Sequence, residues 1–340
     1  MGIKYSSFPI RGIDISNNNG IIDWSKVNAH FAITRVGYGR TIDSKFYDNW
    51  MGSKGKCKRS GYWFMDYYSN WYINPTGFVA SARGLSDVEW GEEQAENCWN
   101  ELKNDPEGIV WLDIENGGPS YSPPLTNPEA KRHALNIAWG FLQRIDELNG
   151  KRNGIYTSVG WLDWFTEWFK DRPLWVAWYP YRTSMVGPMA IVQMVIDKGW
   201  NVKPIIWQYA SDGDVDDNGT PDGKTLFKTE LKEMDLNGWV GTQQEYESMF
   251  STSVADPIET PDDETVTQPI ENARVVKIKY TQSKLNMRSS PKIGWNVIKT
   301  LPVNYKVDCL ETIIDGQNIW QRVGIDQYVA EINNGITYLK

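Results

Sequence analysis

The sequence is poor in the features that would mark several common protein classes. It has only three cysteines, Cys57, Cys98 and Cys309, among 340 residues. None sits in a C-x-x-C pair, which argues against a structural zinc site. An odd count does not make a disulfide framework, so free thiols are expected. No stretch approaches the ~18 consecutive apolar residues of a membrane span, and the segment from Met1 to Phe8 lacks the apolar stretch of a secretory signal. No block of Lys and Arg suggests nucleic-acid binding. Neither membrane insertion nor a nucleic-acid partner is therefore expected.

Aromatic residues, by contrast, are plentiful: 18 Trp and 17 Tyr. Such side chains fill cores, and they also supply flat apolar faces with a polar rim, suited to gripping sugar rings. Charge is unevenly spread. The net −8 divides into −7 over residues 1–250, −6 over 251–272 and +5 over 273–340. Residues 251–273, STSVADPIETPDDETVTQPIENA, hold three Pro and six acids but no Lys, Arg or aromatic residue. That composition cannot bury enough apolar surface to offset its ordering entropy, so it is expected to be an extended, self-repelling linker. It separates a domain of residues 1–250 from one of residues 274–340.

The first domain alternates short apolar runs with helical patterns. Candidate strands are residues 12–16, 31–37, 61–67, 109–115, 154–157, 174–179, 205–209 and 234–239. Eight strands in such a length predict an α/β fold, a TIM-like (β/α) barrel. Helices are expected over residues 88–102, 128–149 (behind the cap and first turn Asn127-Pro128-Glu129) and 161–169. Helical patterns fade after Tyr179, which predicts an irregular barrel in its last three units. The second domain holds short β runs at 274–279, 297–301, 306–314, 320–323 and 328–331 with no helical pattern, and predicts a small all-β barrel.

The strongest chemical feature is the apolar strand Ile109-Val110-Trp111-Leu112-Asp113-Ile114-Glu115. Residues two apart on a strand share a face, so Asp113 and Glu115 can both point into a barrel mouth. Barrels place catalysis at the C-terminal ends of their strands. Neighbouring carboxylates resist joint ionisation, and the raised pKa that results suits a general acid. Glu115 is the candidate proton donor and Asp113 its partner. Asp14 interrupts the apolar run Gly12-Ile13-Asp14-Ile15, where a charge needs a reason. Asp235 lies in the last strand and Asp66 ends the third. If the barrel closes between its last and first strands, these acids converge on one pocket. Tyr67, Tyr156, Trp178 and Tyr209 fall at the same strand ends and are candidate sugar platforms, whereas Trp111 and Trp207 read as structural. His133, mid-helix, reads as a surface or half-buried side chain.

A separate pattern, Asp214-Val215-Asp216-Asp217-Asn218-Gly219-Thr220-Pro221-Asp222, matches the first nine positions of a calcium loop. Its ligands would be Asp214, Asp216, Asn218 and Asp222. The twelfth position is Thr225 rather than Glu, and an acidic hairpin tip on the Asn218-Gly219 turn is the competing reading. No cofactor is required by the acid pair itself.

These elements together resemble a known family. Arg11-Gly12-Ile13-Asp14-Ile15-Ser16, Leu112-Asp113-Ile114-Glu115, Gly154-Ile155-Tyr156-Thr157-Ser158, Leu174-Trp175-Val176-Ala177, Ile206-Trp207-Gln208-Tyr209 and Met234-Asp235-Leu236-Asn237 follow the order found in glycoside hydrolase family 25 lysozymes, the Chalaropsis-type muramidases common in phage endolysins. The resemblance implies hydrolysis of the β-1,4 bond between N-acetylmuramic acid and N-acetylglucosamine in bacterial peptidoglycan. Glu115 would be the proton donor, with Asp113, Asp14 and Asp235 as accompanying acids. Two departures stand out: the third strand, Gly61 to Tyr68, lacks the family's frequent Tyr-His pair, and Trp178-Tyr179 follow Ala177.

Leu285-Asn286-Met287-Arg288-Ser289-Ser290-Pro291, Val297-Ile298-Lys299-Thr300-Leu301, Trp320-Gln321-Arg322-Val323 and Tyr328-Val329-Ala330-Glu331 resemble bacterial SH3-type cell-wall-binding domains. That implies a targeting module that raises local enzyme concentration on the wall. An enzyme acting on the wall without a signal peptide would reach it through a phage holin, through cell lysis or after processing. A non-catalytic glycan-binding protein, and a hydrolase of another polysaccharide, are the alternatives. The intact acid pair disfavours the first and the wall-binding module the second.

Overall fold

The computed structural model describes residues 3–67, 80, 83–115, 128–180, 186–227, 233–250, 277–288, 291–292, 297–309, 311–315, 318–324 and 327–340. The chain forms two compact units, Met1–Ile258 and Glu259–Lys340. The expected linker at 251–273 and the expected cap Asn127 lie outside the described residues.

The first unit is built on β1 (Arg11–Ile15), β2 (Phe31–Tyr38), β3 (Thr41–Ile42), β4 (Lys58–Phe64), β5 (Val110–Asp113), β6 (Gly154–Ser158), β7 (Leu174–Ala177), β8 (Ile206–Ala210) and β9 (Asp235–Trp239). All eight expected strands are present. β1, β2 and β4 to β8 follow one another as parallel neighbours. β9 runs antiparallel to both β8 and β1, and the β1–β2 pairing closes the ring of eight. β3 is a hairpin extension of β2 that the sequence pattern did not reveal.

Side chains alternate between the interior and the outer wall. Phe31, Tyr62, Trp111, Tyr156, Trp175 and Trp239 fill the interior. Its floor is sealed by Met249 and Phe250 at the end of a helix that begins at Gln243, with Phe31 against Trp239 and Phe250. Above this apolar filling, polar side chains gather toward the opposite end of the strands.

The helices are α1 (Phe46–Ser53), α2 (Asp87–Leu102), α3 (Pro128–Asn149), α4 (Ala190–Asp197) and α5 (Gln243–Met249). Ser86 opens α2 with a reciprocal cap: Glu89 N–H donates to Ser86 Oγ at 3.2 Å and Ser86 N–H to Glu89 Oε2 at 2.7 Å. α2 and α3 pack backbone to backbone because each carries a glycine at the crossing. A Cβ on Gly91 would stand 2.1 Å from Ile137 O, and one on Gly140 2.4 Å from Val88 O.

The single helix expected over residues 161–169 is instead two 3-10 turns, Val159–Trp164 and Glu167–Phe169. Phe165, between them, is extended at ψ 139°. Aromatic residues lose rotamer freedom in an α-helix, and here tertiary packing decides: Phe165 meets Trp200 and Phe169, while Trp161 meets Tyr67 and Trp164. The expected irregularity is visible after β7. α4 spans eight residues, one π turn, Gly223–Phe227, is the described helical element between β8 and β9, and β9 itself is reversed.

The second unit is all β among the described residues: β10 (Lys277–Tyr280), β11 (Leu285–Arg288), β12 (Val297–Leu301), β13 (Lys306–Cys309), β14 (Glu311–Asp315), β15 (Asn318–Gly324), β16 (Gln327–Asn333) and β17 (Ile336–Thr337). β10 pairs with β13, and β12-β11-β16-β15-β14 form a second sheet with β17 on β16. Leu285, Met287, Leu301, Val307, Trp320 and Val329 share its core. The run expected at 306–314 is two strands, and β11 was not read from the pattern as a strand.

Candidate active site

The polar mouth of the barrel is assembled from strand ends. Asp14 ends the inward row of β1, and the register places it opposite Ile33 on one side and Asp235 on the other. Because β9 is reversed, its first residue, Asp235, arrives at the same end of the barrel as the last residues of the parallel strands. Asp113 closes β5, in register with Phe64 and Tyr156. Its backbone is held on the β4 side, where Met65 N–H donates to Asp113 O at 2.9 Å. Glu115 lies just beyond the strand, after an Ile114 fixed twice: Ile114 N–H donates to Tyr156 O at 2.9 Å, and Thr157 Oγ1 donates to Ile114 O at 2.7 Å. Asp14 and Asp113 are buried; Glu115 and Asp235 are half-buried.

This crowding of acids in a dry mouth sets their protonation. Burial, reinforced by Asp14, raises Glu115 to about 7. Burial, then Glu115 and Asp14, push Asp113 well above the carboxylate range, with Arg35 opposing. Asp235 is raised by burial, Asp14 and Glu115. Asp14 is raised by burial to about 6, restrained by hydrogen bonds from Gln208 and Asn237. The site thus contains a carboxylic acid that keeps its proton near neutrality, beside others whose ionisation is contested. Asp113 Oδ1 is buried without a hydrogen-bond partner, so the pocket presents a polar atom that awaits one.

Of the expected aromatic platforms, Tyr156 joins the acids. Its hydroxyl donates to Gln208 Oε1 at 2.8 Å, and its ring lies 4.2 Å from that of Trp175. The others are placed elsewhere. Tyr67 is fully buried against Trp161. Tyr209 is buried on the outer wall, stacked 5.1 Å from Phe8. Trp178 stacks on Trp207 at 5.5 Å, with Trp207 Nε1–H donating to Trp178 O at 2.9 Å. Asp66 faces α2: Gln94 and Trp90 bind its backbone, and Arg83 stands 3.8 Å from its carboxylate. Burial raises Asp66 to about 6 against the pull of Arg83. His133 is half-buried and bonds Asp87 at 2.8 Å, tying α3 to the start of α2.

Tyr179, one of the two residues noted after Ala177, and three residues not anticipated, Gln208, Asn237 and Arg35, complete the mouth. Tyr179, 48% exposed, sends its hydroxyl to Gln208 Oε1, and Asp235, Asp14 and Glu115 all act on it. Gln208 and Asn237 reach Asp14, and Arg35 is held by Asp43 at 2.7 Å and by Asn17. The argument that singled out Asp14, a polar side chain on the inward face of an apolar strand, applies equally to Gln208 and Asn237.

The acidic loop after β8 brings carboxylate oxygens of Asp214, Asp216 and Asp222 within 4.8 Å of one another. Asn218 N–H and Gly219 N–H donate to Asp214 at 3.0 and 2.6 Å, Val215 N–H to Asp222 at 3.2 Å, and Thr220 N–H to Asn218 Oδ1 at 2.8 Å. These oxygens could hold a cation, and the loop is also closed by its own hydrogen bonds.

Solved structures similar to this chain include the muramidase from Trichobolus zukalii, at 20% identity, with 71% of this chain and 98% of that one covered and a TM-score of 0.47. The bacterial lysozyme from Streptomyces coelicolor matches at 19% identity over 71% of this chain and 96% of that one, with a TM-score of 0.48. A family 25 glycosyl hydrolase from Bacillus anthracis matches at 20% identity over 72% and 94%, with a TM-score of 0.49. Comparison with curated proteins gives no match. The model of glycosyl hydrolases family 25 matches residues 13–218, a segment that contains Asp14, Asp113, Glu115 and Gln208 and stops short of Asp235. That segment is more than half of the chain, and the protein belongs to glycosyl hydrolases family 25.

Proposed function

We propose that this glycoside hydrolase is an N-acetylmuramidase that cleaves the β-1,4 bond between N-acetylmuramic acid and N-acetylglucosamine in bacterial peptidoglycan. The observation that carries the reading is Glu115, a half-buried carboxyl raised to about 7 at the mouth of a closed barrel. Such a group can protonate a glycosidic oxygen near neutral pH. Two residues earlier stands Asp113, whose buried Oδ1 lacks a partner. The N–H of an acetamido group would satisfy it and turn the carbonyl oxygen of that group toward the anomeric carbon. Hydrolysis would then proceed through the N-acetyl group of the substrate, with net retention, rather than through a carboxylate about 5 Å from the acid. Release of the product anomer of opposite configuration contradicts this route. Tyr179, exposed beside the acids, and Tyr156, whose hydroxyl shares Gln208 with it, are assigned to the sugar.

The second unit is proposed as an SH3-type module that holds the enzyme on the wall, a role that the net charge of +5 over residues 273–340 suits. Asp214, Asp216, Asn218 and Asp222 are kept as candidate calcium ligands, and no step of the hydrolysis passes through them. The reading is tested by digesting purified walls and identifying the released ends.

A further inference from the structure

Asp14 Oδ1 accepts two hydrogen bonds from side-chain amides, Gln208 Nε2 at 2.8 Å and Asn237 Nδ2 at 2.7 Å. The direction of the second bond is forced. Asn237 Oδ1 accepts Trp175 Nε1–H at 2.8 Å, and an indole nitrogen is a donor only. The oxygen of the Asn237 amide must therefore face Trp175, and its NH2 must face Asp14. Gln208 is oriented the same way, with its oxygen receiving the hydroxyls of Tyr156 and Tyr179. Both amides are buried, Asn237 completely, and Trp175 is sealed in the barrel core, so water does not compete for the Asn237 arrangement.

We infer that Gln208 and Asn237 are positioning residues for catalysis: a clamp of two amides, locked from behind by Trp175, Tyr156 and Tyr179, that makes Asp14 the first of the four mouth carboxylates to ionise and, through its charge, keeps the proton on Glu115. A carboxylate oxygen that receives two N–H donors is stabilised as the anion. Asp113 has no such donors on Oδ1. Among the described residues, the titratable groups that act with Asp14 are Asp113 and Glu115 from the β5 end, Asp235 from β9, Tyr62 from β4, Tyr156 from β6 and Tyr179 after β7. Arg35 on β2 bears on Asp113 and Tyr62, and among the described residues no cation is a cause of the Asp14 shift. The two amides are thus what separates Asp14 from its neighbours. Burial restrained by these bonds leaves Asp14 at about 6, while burial and the charge of Asp14 raise Glu115 to about 7.

The kinetic part of the inference rests on the proposed hydrolysis; the order of ionisation does not. The first experiment follows the carboxyl groups of the wild-type full chain by carbon-13 NMR through a pH titration, with Asp14→Asn and Asp113→Asn used to assign the signals. Asp14 is expected to ionise before Asp113, Asp235 and Glu115; any of those three ionising first overturns the clamp. This measurement stands even if the enzyme clears no wall, an outcome that would count against the muramidase alone. The second compares pH profiles of kcat/KM on purified walls for wild type, Gln208→Met and Asn237→Leu. These variants keep side-chain size and remove the donors. Their acid limb should move up by about one unit and their alkaline limb should move down, because Glu115 loses the charge that holds its proton. A purely structural role would lower the profile without narrowing it, and that result overturns the inference. Should either variant fail to fold, the wild-type titration decides.

Discussion

Asp14 and Asp235 stand directly opposite each other on the antiparallel pair β1 and β9, two carboxylates in one cross-strand position. Like charges placed so are destabilising, and both groups are also removed from water. The fold carries this conflict at the mouth of the barrel, above its apolar interior.

The conflict has a signature in stability. The mouth carboxyls have folded-state pKa values raised above the unfolded value of about 4, by burial first and by one another second, with Asp14 at about 6 and Glu115 at about 7. The folded chain therefore holds more protons than the unfolded chain between those limits, and these groups make stability fall as pH rises through that window. Asp235→Asn should raise the melting temperature at alkaline pH by roughly 2–4 °C for each kcal/mol relieved and leave it nearly unchanged in acid. Calorimetry across pH checks this; equal gains at both ends would contradict it.

Activity should follow the proton on Glu115. Because burial and Asp14 hold this carboxyl at about 7, the hydrolysis rate is expected to decline as pH rises through that value. The Asp14→Asn variant should decline at lower pH, since it lacks the charge that raises Glu115. Initial rates on wall suspensions at constant ionic strength provide the measurement.

Substrate contact should distinguish two adjacent aromatic residues. Tyr179 is half-exposed among the acids, while Trp178 stacks on Trp207. Tyr179→Ala is expected to weaken KM on soluble wall fragments several-fold. Trp178→Ala should chiefly lower the melting temperature. Steady-state kinetics beside thermal melts of both variants separate the two effects.

The second unit should matter only on intact walls. A chain ending at Ile258 is expected to hydrolyse soluble fragments at the wild-type rate, while its binding to wall sediments and its clearing rate drop. Equal sedimentation of the full and shortened chains would remove the targeting role.

Much of the barrel was legible because its strands are apolar runs of standard length, punctuated by turns, and all eight are found. The Asp113-Ile114-Glu115 spacing and the lone charge of Asp14 are strand-period signals, and they locate the acid cluster. The aromatic platforms were harder to read. Period two puts Trp178 and Tyr209 at strand ends, but their facing depends on parity against the closed barrel, and both turn outward, to Trp207 and Phe8. Tyr179, one residue further on, turns in. The segment at 161–169 has helical spacing, yet its aromatic side chains find better partners by breaking into two turns. Gln208 and Asn237 carry no charge to draw notice, and their importance lies in bonds to residues far away in sequence.

The most direct test of the account follows the turbidity of purified Gram-positive walls treated with wild type and with Glu115→Gln, and identifies the released ends by mass spectrometry. The account predicts clearing by the wild type with new reducing muramic-acid ends, and a loss of at least about 100-fold in the variant, the contribution expected of a general acid. Equal clearing by both proteins, or binding without clearing by either, would contradict it.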